Sequence, residues 1–284
     1  MIAKVRRAAS ILREDGPWSL VTFAARSLGL GGHAPEEAAM VFRLLRAAST
    51  NGVMVDVGAH IGTASLPFAR SGWRVFAFEP DPSNRGQLER AVASFPRVLV
   101  DPRALADQPR QQAPFYTSRV STGISGLTAF HPSHVVTSSI DVTTLRDFCA
   151  EHPLERVDFL KVDTEGFDLF VLRGVPWEQF NPRVIVCEFE DAKTRPLGYS
   201  FQDLARLLIQ QHYALVVSEW YPVRRYGGPH RWRRFARYPC DLVDGNAWGN
   251  IIAVQDPNLL ASLLSLCEAY GPVTQPRDAT PMAE

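Results

Sequence analysis

The sequence is sparing with several features that mark specialised chains. Its 284 residues hold four cysteines, Cys149, Cys187, Cys240 and Cys267, far apart and with no CxxC pair. A structural zinc site needs clustered thiolates and a disulfide framework needs denser cysteine, so neither is expected. Free thiols suit a reducing compartment, and a cytoplasmic protein is expected. Net charge is missing too, because thirty basic and thirty acidic residues cancel. No global field draws the chain to nucleic acid or to an anionic membrane, so nucleic acid is not an expected partner, and peripheral membrane contact would need a local patch. No apolar run reaches the roughly 18 residues of a membrane span. The basic start MIAKVRRAASILRED meets Arg13, Glu14 and Asp15 before a signal-peptide core could form. Internal repeats and low-complexity tracts are also missing.

What is present is the composition of a globular enzyme, 46% hydrophobic and 21% charged, long enough for one large core or a core with a small appendage. Residues 36–48 carry apolar side chains at helical spacing behind two glutamates, which predicts a helix. GVMVDVG reads as a buried parallel strand, followed by a helix near 63–71, the strand RVFAFEP, a helix over 83–94 and the strand RVLVD. Residues 108–142, richer in Ser, Thr, Pro and His, read as short strands and loops across one sheet edge. Alternation resumes with the strand VDFLKVD, the helix DLFVLRG ended by Gly174, and the strand RVIVCEFE. A helix over 200–211 and the strand YALVVSE follow. Residues 220–248 read as mostly loop, before the strand NIIAVQ and a helix near 258–269. The fold class expected is α/β, a mostly parallel doubly wound sheet with helices on both faces. Three parts are expected: a helical extension over 1–50, which could lie on a surface or pack on the core; the main domain over 51–256; and a C-terminal helix with a frayed tail over 257–284.

Ligands of open parallel sheets bind beyond the carboxyl ends of the strands. The first strand ends in Asp56-Val57-Gly58-Ala59-His60-Ile61-Gly62, where two glycines permit a sharp turn and a close backbone approach. Asp56 could accept hydrogen bonds from loop amides or a cationic ligand group. The second strand ends in Phe78-Glu79-Pro80-Asp81, and an acid roughly 20 residues after such a loop can grip a ribose diol. The pair in this order points to an adenosine nucleoside; the plainer alternative is a tight strand–helix turn and a solvated strand end. The loop lacks the GxGxxG that brings a helix N-terminus to a pyrophosphate. That favours S-adenosylmethionine, which has no phosphate, over a nicotinamide dinucleotide.

VMVDVGAHIGTAS, VFAFEPDP, the ALAD segment at Ala104–Asp107 and FLKVDTEGFDLFVLRG resemble, in order, the motifs of the FkbM family of methyltransferases. The resemblance covers roughly residues 50–190, and VDTEG is its most specific part. It implies the Rossmann-like class I methyltransferase fold over the main domain, with methylation of hydroxyl groups on sugars or natural products. By the same resemblance Asp56, Gly58, Ala59, His60 and Gly62 would surround the methionine part of the cofactor. Glu79, with Pro80 after it, would take the ribose, and Ala104 or Asp107 would lie near the adenine. The family often has asparagine where this chain has His60, which points to a backbone contribution there.

Methylating an alcohol requires an acceptor oxygen held in line behind the methyl group, exclusion of water and removal of a proton. The strand FLKVD delivers Asp163 to the carboxyl edge of the sheet, and Glu165 follows in a turn that Gly166 lets bend. One of these carboxylates is expected to be the base and the other to orient it or the substrate. Alternatively, either could merely cap the helix that follows. Glu188 and Glu190 end the next strand on one face, where they would reach the pocket rim or stay solvated. Hard cations suit such carboxylates, but no HxxxH-like ligand pair accompanies them, and no metal is expected. The late segment SEWYPVRRYGGPHRWRRFARYP mixes Trp220, Arg224, His230 and Trp232 in a pattern that suits sugar rings and phosphates. It could equally be a lid whose aromatics pack inward, with His230 a fallback base.

The function expected is an S-adenosylmethionine-dependent O-methyltransferase acting on a sugar or glycan hydroxyl, possibly lipid-linked or nucleotide-linked. Two other readings are a nicotinamide-dependent oxidoreductase and a non-catalytic module that binds glycan or protein through the Arg/Trp segment.

Overall fold

The computed structural model describes residues 34–46 and 51–276. The expectations for residues 1–30 and for the end of the tail lie outside these residues. In chain order come α1 (Glu37–Arg46), β1 (Val53–Val57), α2 (Ser65–Arg70), β2 (Arg74–Phe78), α3 (Pro82–Val92) and β3 (Val98–Asp101). An inserted group follows: β4 (Ala104–Leu105), β5 (Arg110–Ser118) and β6 (His134–Thr143). Then come α4 (Leu145–Glu151), β7 (Phe159–Val162), α5 (Asp168–Arg173), β8 (Val184–Glu190), α6 (Asp191–Thr194) and α7 (Phe201–Gln210). The chain finishes with β9 (Ala214–Trp220), β10 (Trp232–Arg237), β11 (Trp248–Val254) and α8 (Pro257–Glu268).

The main sheet has the order β3-β2-β1-β7-β8-β11-β9-β10. Strands β1, β2, β3, β7, β8 and β9 share one direction, while β11 and β10 run against them. Two apolar layers cover the sheet. One face packs side chains of α4, α5 and α7, including Phe148, Leu172 and Leu204. The opposite face packs α1, α2, α3 and α8 through residues such as Leu45, Phe68, Leu88 and Leu263. The sheet strands are near-continuous apolar runs because both of their faces are covered.

Helix starts follow local chemistry. Asp81 accepts from the amides of Ser83 and Asn84 with Pro82 at the first helical position, so α3 begins directly under β2. Ser200 and Asp203 form a reciprocal capping box on α7. The amphipathic α1 buries Met40, Val41, Leu44 and Leu45, and its buried Glu37 accepts from the Ser218 hydroxyl and the Trp220 indole.

One expectation is corrected and one is refined. Residues 108–142 supply two long strands, β5 and most of β6, which join β4 in a three-stranded sheet of their own, β4-β6-β5, over a small core that includes Ala113, Phe115, Ile140 and Val142. Pro114 is tolerated because β5 is the edge strand of that sheet. The segment 220–248 contains β10, paired antiparallel with β9. Its arginines enter the sheet because fully buried Glu219 accepts from Arg233 at 3.1 Å and Arg234 at 2.7 Å. Of the expected frayed tail, Thr274 exchanges backbone hydrogen bonds with Phe235 and Arg237.

The chain runs outward from β1 to β3, then returns to the other side of β1 as β7, which opens a crevice at the carboxyl ends of β1 and β7. At the end of β1, Gly58 has φ 76°, and a Cβ placed there would lie 1.8 Å from the Asp163 carbonyl oxygen. Backbone meets backbone, so neither side can yield cheaply. Gly58→Ala is expected to cost more than about 3 kcal/mol, since it combines a left-handed alanine with a steric clash. Urea unfolding measures this, and an unchanged midpoint would show that the two strand ends are not locked.

Candidate active site

The crevice holds a pocket of about 800 Å³, counting the part that opens to solvent. Its floor is the turn after β1. His60 takes a left-handed backbone at φ 51°, a conformation that histidine, asparagine and aspartate tolerate better than most residues. Its amide donates to Glu79 Oε2 at 2.7 Å, and the Asp81 amide donates to Glu79 Oε1 at 2.8 Å. Glu79 is 5% exposed. Burial lifts its carboxyl to about 7, although both amides pull the other way. Each of its oxygens keeps a lone pair for a further donor.

The roof comes from the connection between β5 and β6. Thr122, Gly123, Ser125, Gly126 and Leu127 all face the pocket. Three hydrogen bonds fasten this loop to the floor: His60 Nε2 with Thr122 Oγ1 at 3.1 Å, Asn84 Nδ2 to Thr122 O at 3.3 Å, and Ser125 Oγ to Asp81 Oδ2 at 3.2 Å. Asn84 lines the pocket and is 2% exposed, and its Oδ1 is buried without a hydrogen-bond partner among the described residues. Leu105, Phe115, Leu127 and Phe167 give the same pocket apolar walls suited to a flat ring.

The third side is the turn Asp163-Thr164-Glu165 after β7. Lys161 lies opposite Asp56 in the β1–β7 register and reaches Asp56 at 3.4 Å, Asp163 at 3.1 Å and the Gly58 carbonyl at 3.3 Å. Burial works against the Lys161 ammonium, but Asp163 and Asp56 outweigh it and hold its pKa above the usual lysine range. Desolvation likewise opposes ionised Asp163, yet Lys161 prevails and holds the carboxyl below its ordinary value. Glu165 has a left-handed backbone at φ 57°, an outlier of the kind that gathers at functional sites. Burial raises its carboxyl to about 7, against the pull of Lys193 and with the help of Asp163. Neither acid caps α5, which starts without a side-chain cap.

Glu165 belongs to a larger cluster. Lys193 Nζ lies 2.6 Å from Glu165, 2.8 Å from Glu190 and 3.3 Å from Glu188. Asp163, Glu165 and Glu188 each bring one carboxylate oxygen within 4.8 Å of the others, a spacing a cation could span. Lys193 already answers two of these three with an ammonium from the chain itself.

With this geometry in place, comparison with known proteins is decisive. The model of the methyltransferase FkbM domain matches residues 56–215, more than half of the chain. The chain belongs to this family. The FkbM domain thus spans the floor, roof and acidic turn alike, and the protein is an S-adenosylmethionine-dependent methyltransferase of Rossmann-like class I architecture. A search of curated proteins finds no match. Similar solved structures include an O-methyltransferase from Bacillus cereus in complex with SAH, 10% identical, covering 88% of this chain and 97% of that one, with a TM-score of 0.42. Precorrin-6y C5,15-methyltransferase from Geobacter metallireducens is 17% identical, covers 77% of this chain and 87% of that one, and has a TM-score of 0.41. The O-methyltransferase TomG from Streptomyces achromogenes is 12% identical over 82% and 86%, also with a TM-score of 0.41.

The FkbM pocket fits its cofactor. Glu79 has acceptor capacity for a ribose diol, Asn84 Oδ1 lacks a donor among the described residues, and a glycine at 58 leaves the floor open. Of the residues expected from sequence, Gly58, His60, Glu79, Pro80, Ala104, Asp163 and Glu165 line this pocket. Asp56 lies beneath it, fully buried, accepting from Ser65 Oγ at 2.6 Å. Ala59 is buried beside it, and Gly62 turns toward Leu88 rather than the pocket. Asp107 is half-buried and off the lining. Trp220 and Trp232 pack into the sheet edge, with indoles bonded to Glu37 and Ser218. Arg224 is exposed on the loop before β10, while His230 sits against Trp248 with ring centroids 5.0 Å apart. Sequence reading passed over Lys161, Lys193, Asn84 and the roof loop. The lysines' signal was a charge inside or just after a buried strand.

If Glu79 grips the ribose, Glu79→Ala weakens S-adenosylmethionine binding about 10- to 100-fold, the worth of a hydrogen bond to a charged group. Isothermal titration on the folded variant checks this, and an unchanged Kd would remove Glu79 from the cofactor site.

Proposed function

We propose that this FkbM methyltransferase is an O-methyltransferase that transfers a methyl group to a hydroxyl of a sugar, in a glycan or a lipid- or nucleotide-linked form, within the cytoplasm. The observation that carries this reading is Glu165, a buried carboxyl lifted to about 7 at the cofactor pocket. A general base works best when its pKa lies near the working pH, and an alcohol, unlike a neutral amine, must lose a proton as it is methylated.

Bound S-adenosylmethionine supplies a methyl group already activated by its sulfonium. The chain's own residues do the rest. Glu165 takes the proton of the acceptor hydroxyl. Asp163, held ionised by Lys161, keeps a negative charge beside a cationic cofactor. The roof loop over Thr122–Leu127 limits water.

A sugar acceptor is favoured by the surfaces beyond Glu165. Phe130, His131, His134 and Tyr226 form one ring cluster, with Phe130 and His134 centroids 4.7 Å apart and His131 and Tyr226 centroids 5.5 Å apart. Burial lowers the pKa of half-buried His134, so this ring adds no charge there at pH 7, as suits an uncharged polyol. Exposed Arg119, Arg224 and Arg225 lie on the two loops that meet at Val120 and Gly227, placed for a distal phosphate. The four buried free thiols accord with a reducing compartment.

Glu165 must be unprotonated to act, and its pKa is raised. With S-adenosylmethionine saturating, kcat is therefore expected to rise with pH through about 7 and level off above it. Glu165→Gln should lower kcat about 10²- to 10⁴-fold and abolish this rise, with cofactor Kd little changed. A pH–rate profile that is flat in the parent, or full activity in the variant, would refute the assignment. Mass spectrometry of glycans and glycolipids from cells with and without the protein should reveal species differing by one methyl; the absence of any such pair would count against the sugar acceptor.

A further inference from the structure

Lys193 lies just past the start of α6, directly behind β8, and its side chain is 3% exposed. Removing an ammonium from water costs several kcal/mol unless partners compensate. One carboxylate would be enough to compensate a structural lysine. Here three surround it, from two separate elements: Glu165 from the β7–α5 turn, and Glu188 and Glu190 from β8. Two rings close over the ammonium, the Phe130 centroid at 5.1 Å and the Tyr226 centroid at 5.6 Å. The Tyr226 hydroxyl donates to Glu190 Oε1 at 2.9 Å. These rings come from the β5–β6 connection and from the loop before β10. Four segments therefore converge on one nitrogen: the β7–α5 turn, β8, the β5–β6 connection and the loop before β10.

Glu165 is held by Oε2 alone, while Oε1 makes no hydrogen bond among the described residues and the side chain lines the pocket. From this geometry we propose that Lys193 is a positioning residue: it pins one oxygen of Glu165 so that the other faces the acceptor hydroxyl, and it ties that orientation to the seating of Phe130 and Tyr226. The proposal rests on the reading of Glu165 as the base.

The charge balance at this point gives the proposal a specific signature. Around Glu165 and Lys193 lie Asp163 on the same turn as Glu165, Glu188 and Glu190 on β8, Asp168 on α5, and Tyr226, His134 and His230 on the covering loops, with Lys161 behind Asp163. Removing Lys193 leaves Lys161 as the next cation, and that ammonium is already committed to Asp163 and Asp56, so Glu165 would hold its proton to higher pH. Removing Glu190 works in the opposite sense and gives Glu165 a larger share of the ammonium.

The test is the pH dependence of kcat at saturating S-adenosylmethionine in Lys193→Met, Lys193→Arg and Glu190→Gln, beside cofactor Kd. Lys193→Met is expected to lose at least about tenfold in kcat at pH 7. Its rising limb should move up by about one pH unit or more, with activity partly recovered at high pH and Kd for S-adenosylmethionine within about threefold. Lys193→Arg should return the limb toward its parental position. Should Lys193→Met fail to fold, Glu190→Gln carries the test, with the limb expected to move down. A limb that stays in place in the folded variants overturns the positioning role, whatever the rate. Full activity in Glu165→Gln would instead sink the base assignment, so the two failures are told apart.

Discussion

The structure depends on one buried junction, where Lys161 joins the carboxyl ends of β1 and β7. Its ammonium contacts Asp56 inside the sheet, Asp163 at the rim and the Gly58 carbonyl between them. Breaking a buried pair by removing one partner typically costs about 3–5 kcal/mol, because the remaining charge is stranded. An exposed pair on the periphery contributes about 1 kcal/mol or less. The junction holds together two turns that come from distant parts of the sequence, one making the cofactor floor and the other presenting the acidic residues. It adds a side-chain tie to the backbone bond from the Asp163 amide to the Val57 carbonyl, which already sets the turn at Gly58 beside the one at Glu165.

Electrostatics then grades the site from the sheet outward. Asp163 is kept ionised by its lysine, while Glu79 and Glu165 are lifted to about 7 by burial. Farther along, burial pushes Glu188 well above its ordinary value, and Asp168 is raised to about 6, also by burial. Groups of one chemical type thus hold different protonation states within a few ångströms, as a site needs when it must combine a permanent negative charge with a proton acceptor. The family's cofactor is a cation, and the surplus of acids over lysines is complementary to it.

Much of this was legible in the chain because the signals were local. Alternating apolar strands and periodic helices gave the sheet, and Gly58, Glu79 and the Asp163–Gly166 turn sit where strand ends must place them. The insertion was harder to read. Gln111, Gln112 and Pro114 in β5 and the exposed Val135 and Val136 in β6 break the pattern, because only the inner end of that sheet meets a core. β10 was obscured because Arg233 and Arg234 look solvated until Glu219 is seen beneath them. Lys193 shows in one dimension only as a charge just past a buried strand, close to Glu188 and Glu190: Glu165 lies 28 residues before it and the covering rings lie in loops on either side, so only folding brings the whole cluster together.

The roof loop is bonded to the very residues that frame the floor: His60, Asp81 and Asn84 each hold part of it. A nucleoside held between them would have these bonds along one side and the solvent-facing mouth of the pocket along another. Roof and floor thus share their anchors, so a change at His60, Asp81 or Asn84 would be felt above the bound cofactor as well as below it.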